Sequence, residues 1–245
     1  MAKIDKLDIS TKALSLRQTM GEDSFSPIDI FALVQRQKDI TLIMYPLGEN
    51  ISGYCRKYEH TNIIVINSGM TIGRQRYSLA HELYHIYYDT DMSSFVCSNF
   101  NNKSVNEQKA DLFASYFLMP QDALEKFKIK KPVQLIDIID MEQYYRISRK
   151  ALLYRLLNDG IITNDEFENF SHNVKLSAKM AGYNDSLYNA SPENERYYVY
   201  GKYITDAENL LNSGKISVGK YEEYLLTAYR DDLVFGYEDG GEVVD

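Results

Sequence analysis

The sequence has no tryptophan, two cysteines, four histidines and no apolar run near the ~20 residues of a membrane-spanning helix. Its opening residues, Met-Ala-Lys-Ile-Asp-Lys-Leu-Asp, scatter charge where a secretory leader would be apolar, so a cytoplasmic protein with no membrane contact is expected. Cys55 and Cys97 lack metal-site spacing and are expected as idle or buried thiols rather than as a disulfide. Positive charge is also scarce. With 27 Lys and Arg against 35 Asp and Glu, the formal charge is −8, and an extended nucleic-acid surface is not expected because phosphate contact needs clustered cations. What remains is ordinary: 245 residues, 44% apolar and 25% charged, enough for one good core or two small ones.

With so few histidines, the run His81-Glu82-Leu83-Tyr84-His85 stands out. Residues four apart lie one turn apart on the same helix face, so His81 and His85 can aim ring nitrogens at a single ion. Glu82 sits about 100° round the helix from His81, placed to reach a water beside the ion without binding the ion itself. It is the expected general base. The plainer reading makes Leu83 and Tyr84 part of a core helix whose histidines only hydrogen-bond locally. A third ligand decides between them.

A metzincin would carry a further histidine six residues after His85, but Asp91 stands there, which excludes that class. Asp89, four residues after His85, is a possible ligand or a carboxylate behind one. Glu107 is the stronger candidate, because it opens a segment in which Ala110, Phe113, Ala114 and Phe117 recur at helical spacing. Asp111 would share its face and could accept the free ring N–H of a ligand histidine, fixing the tautomer. Ser104-Val-Asn-Glu107 also fits a capping box, in which the glutamate only satisfies a backbone N–H. On spacing alone, ligand and cap stand level.

The stretch Arg74-Gln-Arg76-Tyr-Ser-Leu-Ala-His81-Glu82-Leu-Tyr-His85, followed by Glu107-x-x-Ala110-Asp111-x-Phe113-Ala114 and Met119-Pro120, resembles the ImmA/IrrE family of metallo-endopeptidases. The resemblance implies zinc held by His81, His85 and Glu107, with Glu82 as base, and favours Glu107 as ligand over cap. It also implies a protein substrate, often a helix-turn-helix repressor of a mobile element or stress regulon encoded nearby. Two positions depart from the family pattern: Tyr84 replaces the usual glycine and Asp111 the usual asparagine. Neither removes a ligand.

The expected fold is α+β: a small thermolysin-like zincin core with a short antiparallel sheet, followed by a mostly helical C-terminal region. Residues 1–128 are read as the metallopeptidase core and 129–245 as the helical region, containing a helix-turn-helix-like segment at 133–162. Helices are expected over Thr11–Met20 and after an N-cap at Ser26-Pro27, and strands over Ile40–Tyr45, Gly53–Tyr58 and Asn62–Asn67. The histidine helix should run from Thr71 or Ile72 to about Tyr88, and the glutamate helix from about Ser104 to Leu118, with a loop over Ser98–Ser104. Arg196–Ser213 is read as helical, the tyrosines at Tyr197, Tyr198 and Tyr200 as packing at helical spacing, and Asp239–Asp245 as a disordered tail. Arg146, Arg149, Lys150 and Arg155 give the helix-turn-helix-like segment a local positive surplus, too small to make DNA binding the expected role.

Peptide hydrolysis also needs a strand edge for the substrate and an oxyanion donor. Asn62–Asn67 is the expected edge, and Tyr54, Arg56, His60 and Tyr88 are the candidate donors. The alternative function is a non-proteolytic regulator, an anti-repressor or toxin–antitoxin component that acts by sequestering its partner. That reading leaves Glu82 without a purpose.

Overall fold

The computed structural model describes residues 4–89, 94–98, 104–127 and 129–236. Its first helix, α1 (Lys6–Thr19), starts earlier than its apolar pattern suggests, because the Asp5 carboxylate accepts from the Leu7 and Asp8 N–H groups and caps it. The short α2 (Ile30–Gln35) begins at an Asp29 cap, not at Ser26-Pro27.

Among the described residues the sheet has the strand order β4-β2-β3-β1-β5. These are β1 (Ile40–Tyr45), β2 (Ile51–Lys57), β3 (Asn62–Asn67), β4 (Ser94–Ser98) and β5 (Tyr198–Tyr200). The sheet is mixed, not antiparallel as expected: β1 runs parallel to β3, with Ile40 opposite Asn62, while the other pairs are antiparallel. Two strands were not foreseen. β4 precedes the polar stretch expected as a loop, and β5 replaces the start of the helix expected over Arg196–Ser213, pairing Tyr198 with Met44 and Tyr200 with Leu42. The tyrosines at 198 and 200 therefore follow a strand's alternation, with Val199 turned to the opposite face.

Two long helices lie against the sheet, α3 (Ile72–Tyr88) and α4 (Val105–Leu118), close to the expected bounds. Leu79, Leu83, Phe113 and Phe117 are fully buried between the layers, each contributing about 1.5 to 3 kcal/mol by burial. Tyr84, at the position where glycine was usual, packs against the rings of Tyr88 and Phe113, which also touch each other. The N-cap residue of α3, Thr71, makes no side-chain cap bond. The chain around residue 190 substitutes for one: Asn189 accepts from Ile72 N, and the Gln75 amide, buried, donates to Ser68 O, Met70 O and Ser191 Oγ.

Beyond Pro120 come α5 (Gln121–Phe127), α6 (Leu135–Tyr145), α7 (Arg149–Asn158), α8 (Asn164–Phe170), α9 (Val174–Met180), α10 (Tyr203–Asn212), α11 (Val218–Thr227) and α12 (Asp231–Phe235). The pair α6–α7 is the helix-turn-helix-like segment, and it shares one buried cluster with α3 and α4 through Ile138, Met141, Tyr145, Leu152 and Leu156. Its turn is pressed onto α3: a Cβ on Gly73 would lie 3.0 Å from Ser148 N, and buried Arg76 donates to the carbonyls of Arg146 and Ile28. Among the described residues, no helix is long and apolar enough to cross a membrane. The expected tail Asp239–Asp245 and most of the expected loop 98–104 lie outside the described residues.

Candidate metal centre

The helical spacing of α3 puts His81 and His85 side by side, with their Nε2 atoms 3.3 Å apart. Glu107 enters from the first turn of α4, Oε2 lying 3.4 Å from His81 Nε2 and Oε1 3.0 Å from His85 Nε2. All three are buried, at 5%, 1% and 8% exposure. Among the described residues they form a group whose ligand atoms all lie within 4.8 Å of one another. The competition for Glu107 is resolved by dividing the cap. Ser104 Oγ accepts from Glu107 N, so half of the capping box forms, while the Glu107 carboxylate faces the two imidazoles.

Both rings are held from behind. Asp111 Oδ1 lies 3.0 Å from His81 Nδ1, and Asp89 Oδ2 lies 3.1 Å from His85 Nδ1. Asp111 takes the place expected of it. Asp89, the C-cap residue of α3, is turned to the back of His85 and away from the ligand cluster, where Asn106 Nδ2 also reaches it at 3.3 Å. A carboxylate at Nδ1 keeps the proton there and leaves Nε2 as a lone pair. Two such lone pairs and a carboxylate oxygen then converge on one point, an arrangement that repels itself unless a positive charge lies between them. Glu107 Oε1 makes no hydrogen bond, despite its closeness to His85 Nε2. In the absence of a metal ion a proton can supply that charge, so a metal ion must displace it. Burial alone would lower the His81 pKa, but Asp111 and Glu107 outweigh it and hold it at about 9. Burial alone would raise that of Glu107, but the two imidazoles hold it at about 2. Two nitrogens and a carboxylate around a shared point are a donor set that suits zinc.

Glu82 is fully buried on the sheet side of α3. The Cys55 thiol, in β2, is close enough to feel its charge, and burial together with that carboxylate pushes the thiol pKa far up, so it stays protonated. Gly53 is demanded by the neighbouring strand, since a Cβ there would stand 2.8 Å from Val65 O and 3.0 Å from Ile66 Cδ1, and Glu82 Oε1 lies at van der Waals distance, 3.4 Å, from the same point. Neither Gly53 nor Cys55 was singled out from the sequence as a neighbour of Glu82. The available signal was a lone glycine inside a strand, which marks close approach of another group.

The four expected oxyanion donors are not brought to this cluster. Tyr54 and Arg56 alternate with the inward residues Gly53 and Cys55, and Arg56 stacks over Tyr58 at 4.9 Å. His60 is exposed in the β2–β3 turn beside Glu59. The Tyr88 hydroxyl donates to Lys12 O on α1. The expected substrate edge also moves: β3 is interior, paired with β1 and β2, and β4 is the end strand beside β2.

No curated protein matches the chain. Among solved structures, a Mycobacterium tuberculosis transcriptional regulator is similar at 15% identity and a TM-score of 0.44, over 61% of this chain and 46% of that one. This chain therefore spans under half of that regulator's length. A family model, Peptidase_M78, described as IrrE N-terminal-like domain, matches residues 35–157, which hold β1 to β4, both site helices and nearly all of α7. With half of its length inside that match, the chain belongs to the IrrE N-terminal-like, or M78 peptidase, family.

Proposed function

We propose that this chain is a zinc-dependent endopeptidase whose substrate is a helix-turn-helix transcriptional repressor of a mobile element or stress regulon. The observation that carries the reading is the pair of His Nε2 atoms 3.3 Å apart facing the Glu107 carboxylate, with Glu82 on the next residue of the same helix. Residues 1–128 supply the site in this reading, and 129–245 brace it. When bound, zinc supplies Lewis acidity, polarising the scissile carbonyl and lowering the pKa of the attacking water. His81, His85 and Glu107 hold the ion, and Asp111 and Asp89 keep the imidazoles in the ligating tautomer. Glu82 accepts the proton of the attacking water and returns it to the leaving amine. That carboxylate lies against β2, beside Cys55 and Gly53. The substrate backbone adds to the edge of β4, where main-chain hydrogen bonds hold it extended.

The test is co-incubation of the zinc-loaded protein with repressors encoded beside its gene, followed by mass spectrometry of the fragments. Glu82→Gln should keep zinc and partner binding while cleavage falls by about 10² to 10⁴. If Glu82→Gln relieves repression in cells as well as the wild type does, and neither form yields fragments, the protein sequesters its partner instead.

A further inference from the structure

The two carboxylates behind the imidazoles are placed by different means. Asp111 stands in the middle of α4, where helical backbone fixes it, and 27% of its side chain is exposed. Asp89 follows the last residue of α3 with φ −93° and ψ 99°, so the helix no longer sets its direction, and only 2% of its side chain is exposed. A carboxylate buried to that degree needs donors beyond one ring nitrogen. Two other elements reach it. Lys57, the last residue of β2, donates from Nζ to the Asp89 carbonyl oxygen. Asn106, in the first turn of α4, donates from Nδ2 to the carboxylate, 3.3 Å from Oδ2 and 3.4 Å from Oδ1. Asn106 is also the residue before Glu107. The first turn of α4 therefore meets His85 on both sides, in front through Glu107 and behind by way of Asp89.

We propose that Asn106 is a positioning residue of the metal centre: acting through Asp89, it holds the His85 ring in the orientation and tautomer that bind the ion. This role rests on the zinc centre proposed above and is independent of whether a repressor is cut. A carboxylate held only by an imidazole turns with the ring, and a second donor in a buried setting removes that freedom. Outer partners of ligand histidines are worth about 10- to 100-fold in metal affinity, and Asn106, one residue further out, belongs at the lower end. A role confined to α4 predicts the opposite sign. Asn is a poor helix former, so Ala or Leu in its place would strengthen the helix.

The experiment compares wild type, Asn106→Ala and Asn106→Leu in competition for zinc with a chelator of known affinity, and by NMR of the zinc-loaded proteins carrying isotopically labelled histidine. Both variants should bind zinc about tenfold more weakly, with metal-free stability no lower than wild type. The Nδ1–H signal of His85 should move or be lost to solvent exchange, while that of His81, held by Asp111, stays in place. In an Asp89→Ala background, adding Asn106→Ala should change zinc affinity by less than about twofold, because the contact it removes is already gone. Zinc affinity within about twofold of wild type in both variants, or losses from Asp89→Ala and Asn106→Ala that simply add, overturns the proposal. Equal movement of both histidine signals overturns it too, since that marks a general loosening of the centre. Wild-type protein that takes up no zinc overturns the centre itself, and the role of Asn106 with it.

Discussion

Two buried polar clusters flank α3, built from similar residues and in opposite states of completion. Behind it, on α6 and α7, both oxygens of Glu142 receive Arg149, which also donates to Phe170 O and Ser177 Oγ. Tyr188 also donates to Glu142, and Gln143 donates to Tyr188. Donor meets acceptor throughout. In front, Asp89 and Asp111 fix the histidine rings equally well, yet the atoms aimed at the centre need a proton or a metal ion between them. A closed network serves the fold, and a network whose ligand atoms converge on one point is suited to hold a cation. The contrast also explains the helix-turn-helix-like segment. Arg149 and Arg155 are buried at 3% and 1% exposure, Arg155 donating to Met119 O and Gln121 Oε1, and the start of α7 abuts Gly73. A recognition helix needs its N-terminal turn and its cations free for the groove, and this segment has committed that turn and two of its four cations, Arg149 and Arg155, inward.

The largest effect should come from opening the closed network. Arg149→Met leaves Glu142 buried without its cation and should cost about 3 to 5 kcal/mol in denaturant unfolding. The double variant Glu142→Leu/Arg149→Met, which removes both charges, should recover most of that loss. A cost for the single variant within the ~1 kcal/mol range of an exposed pair would break the comparison by showing the network to be dispensable.

The open cluster should respond to metal instead. Zinc at 100 times its dissociation constant should stabilise the wild type by about 2.7 kcal/mol, and a chelator should remove that increment. Glu107→Gln keeps an oxygen and the Ser104 cap but is a poor ligand, so the increment should shrink while the metal-free fold stays near wild type. Elemental analysis of protein purified without chelator gives an independent reading. If Glu107→Gln binds zinc as wild type does, Glu107 returns to a capping role and the centre must be completed by another group.

The two helices of the site were legible in the sequence because their signals are local. Apolar period, the Ser104 cap and the four-residue spacings of His81, His85 and Asp89 all act within a few turns. The sheet was legible strand by strand but not in its pairing. The parallel register of Ile40 with Asn62 depends on which strand lies between others, and β5 is only three residues long, held by pairing with β1 more than 150 positions away. The placing of the oxyanion candidates away from the cluster has a related reason. Period-two alternation shows that Tyr54 and Cys55 face opposite ways, but not which face α3 covers. Gly53 marks only a close approach of the neighbouring strand, since a Cβ there would clash with Val65 O before it met Glu82.

The smallest expected effect concerns the cations of the closed region that remain exposed. Arg146 and Lys150 reach solvent, Lys150 lying 5.9 Å over the Tyr154 ring. Arg146→Gln and Lys150→Gln should each change stability by no more than about 0.5 kcal/mol, the usual worth of a surface substitution. Two exposed cations on a chain of net charge −8 neutralise too few phosphates for a duplex, so fluorescence anisotropy should detect no binding to duplex DNA at low salt. Binding that weakens steeply with salt, and weakens further in these two variants, would show that the brace also reads nucleic acid. The contrast between a closed structural cluster and an open chemical one would then describe the buried groups of the two regions but no longer divide their functions.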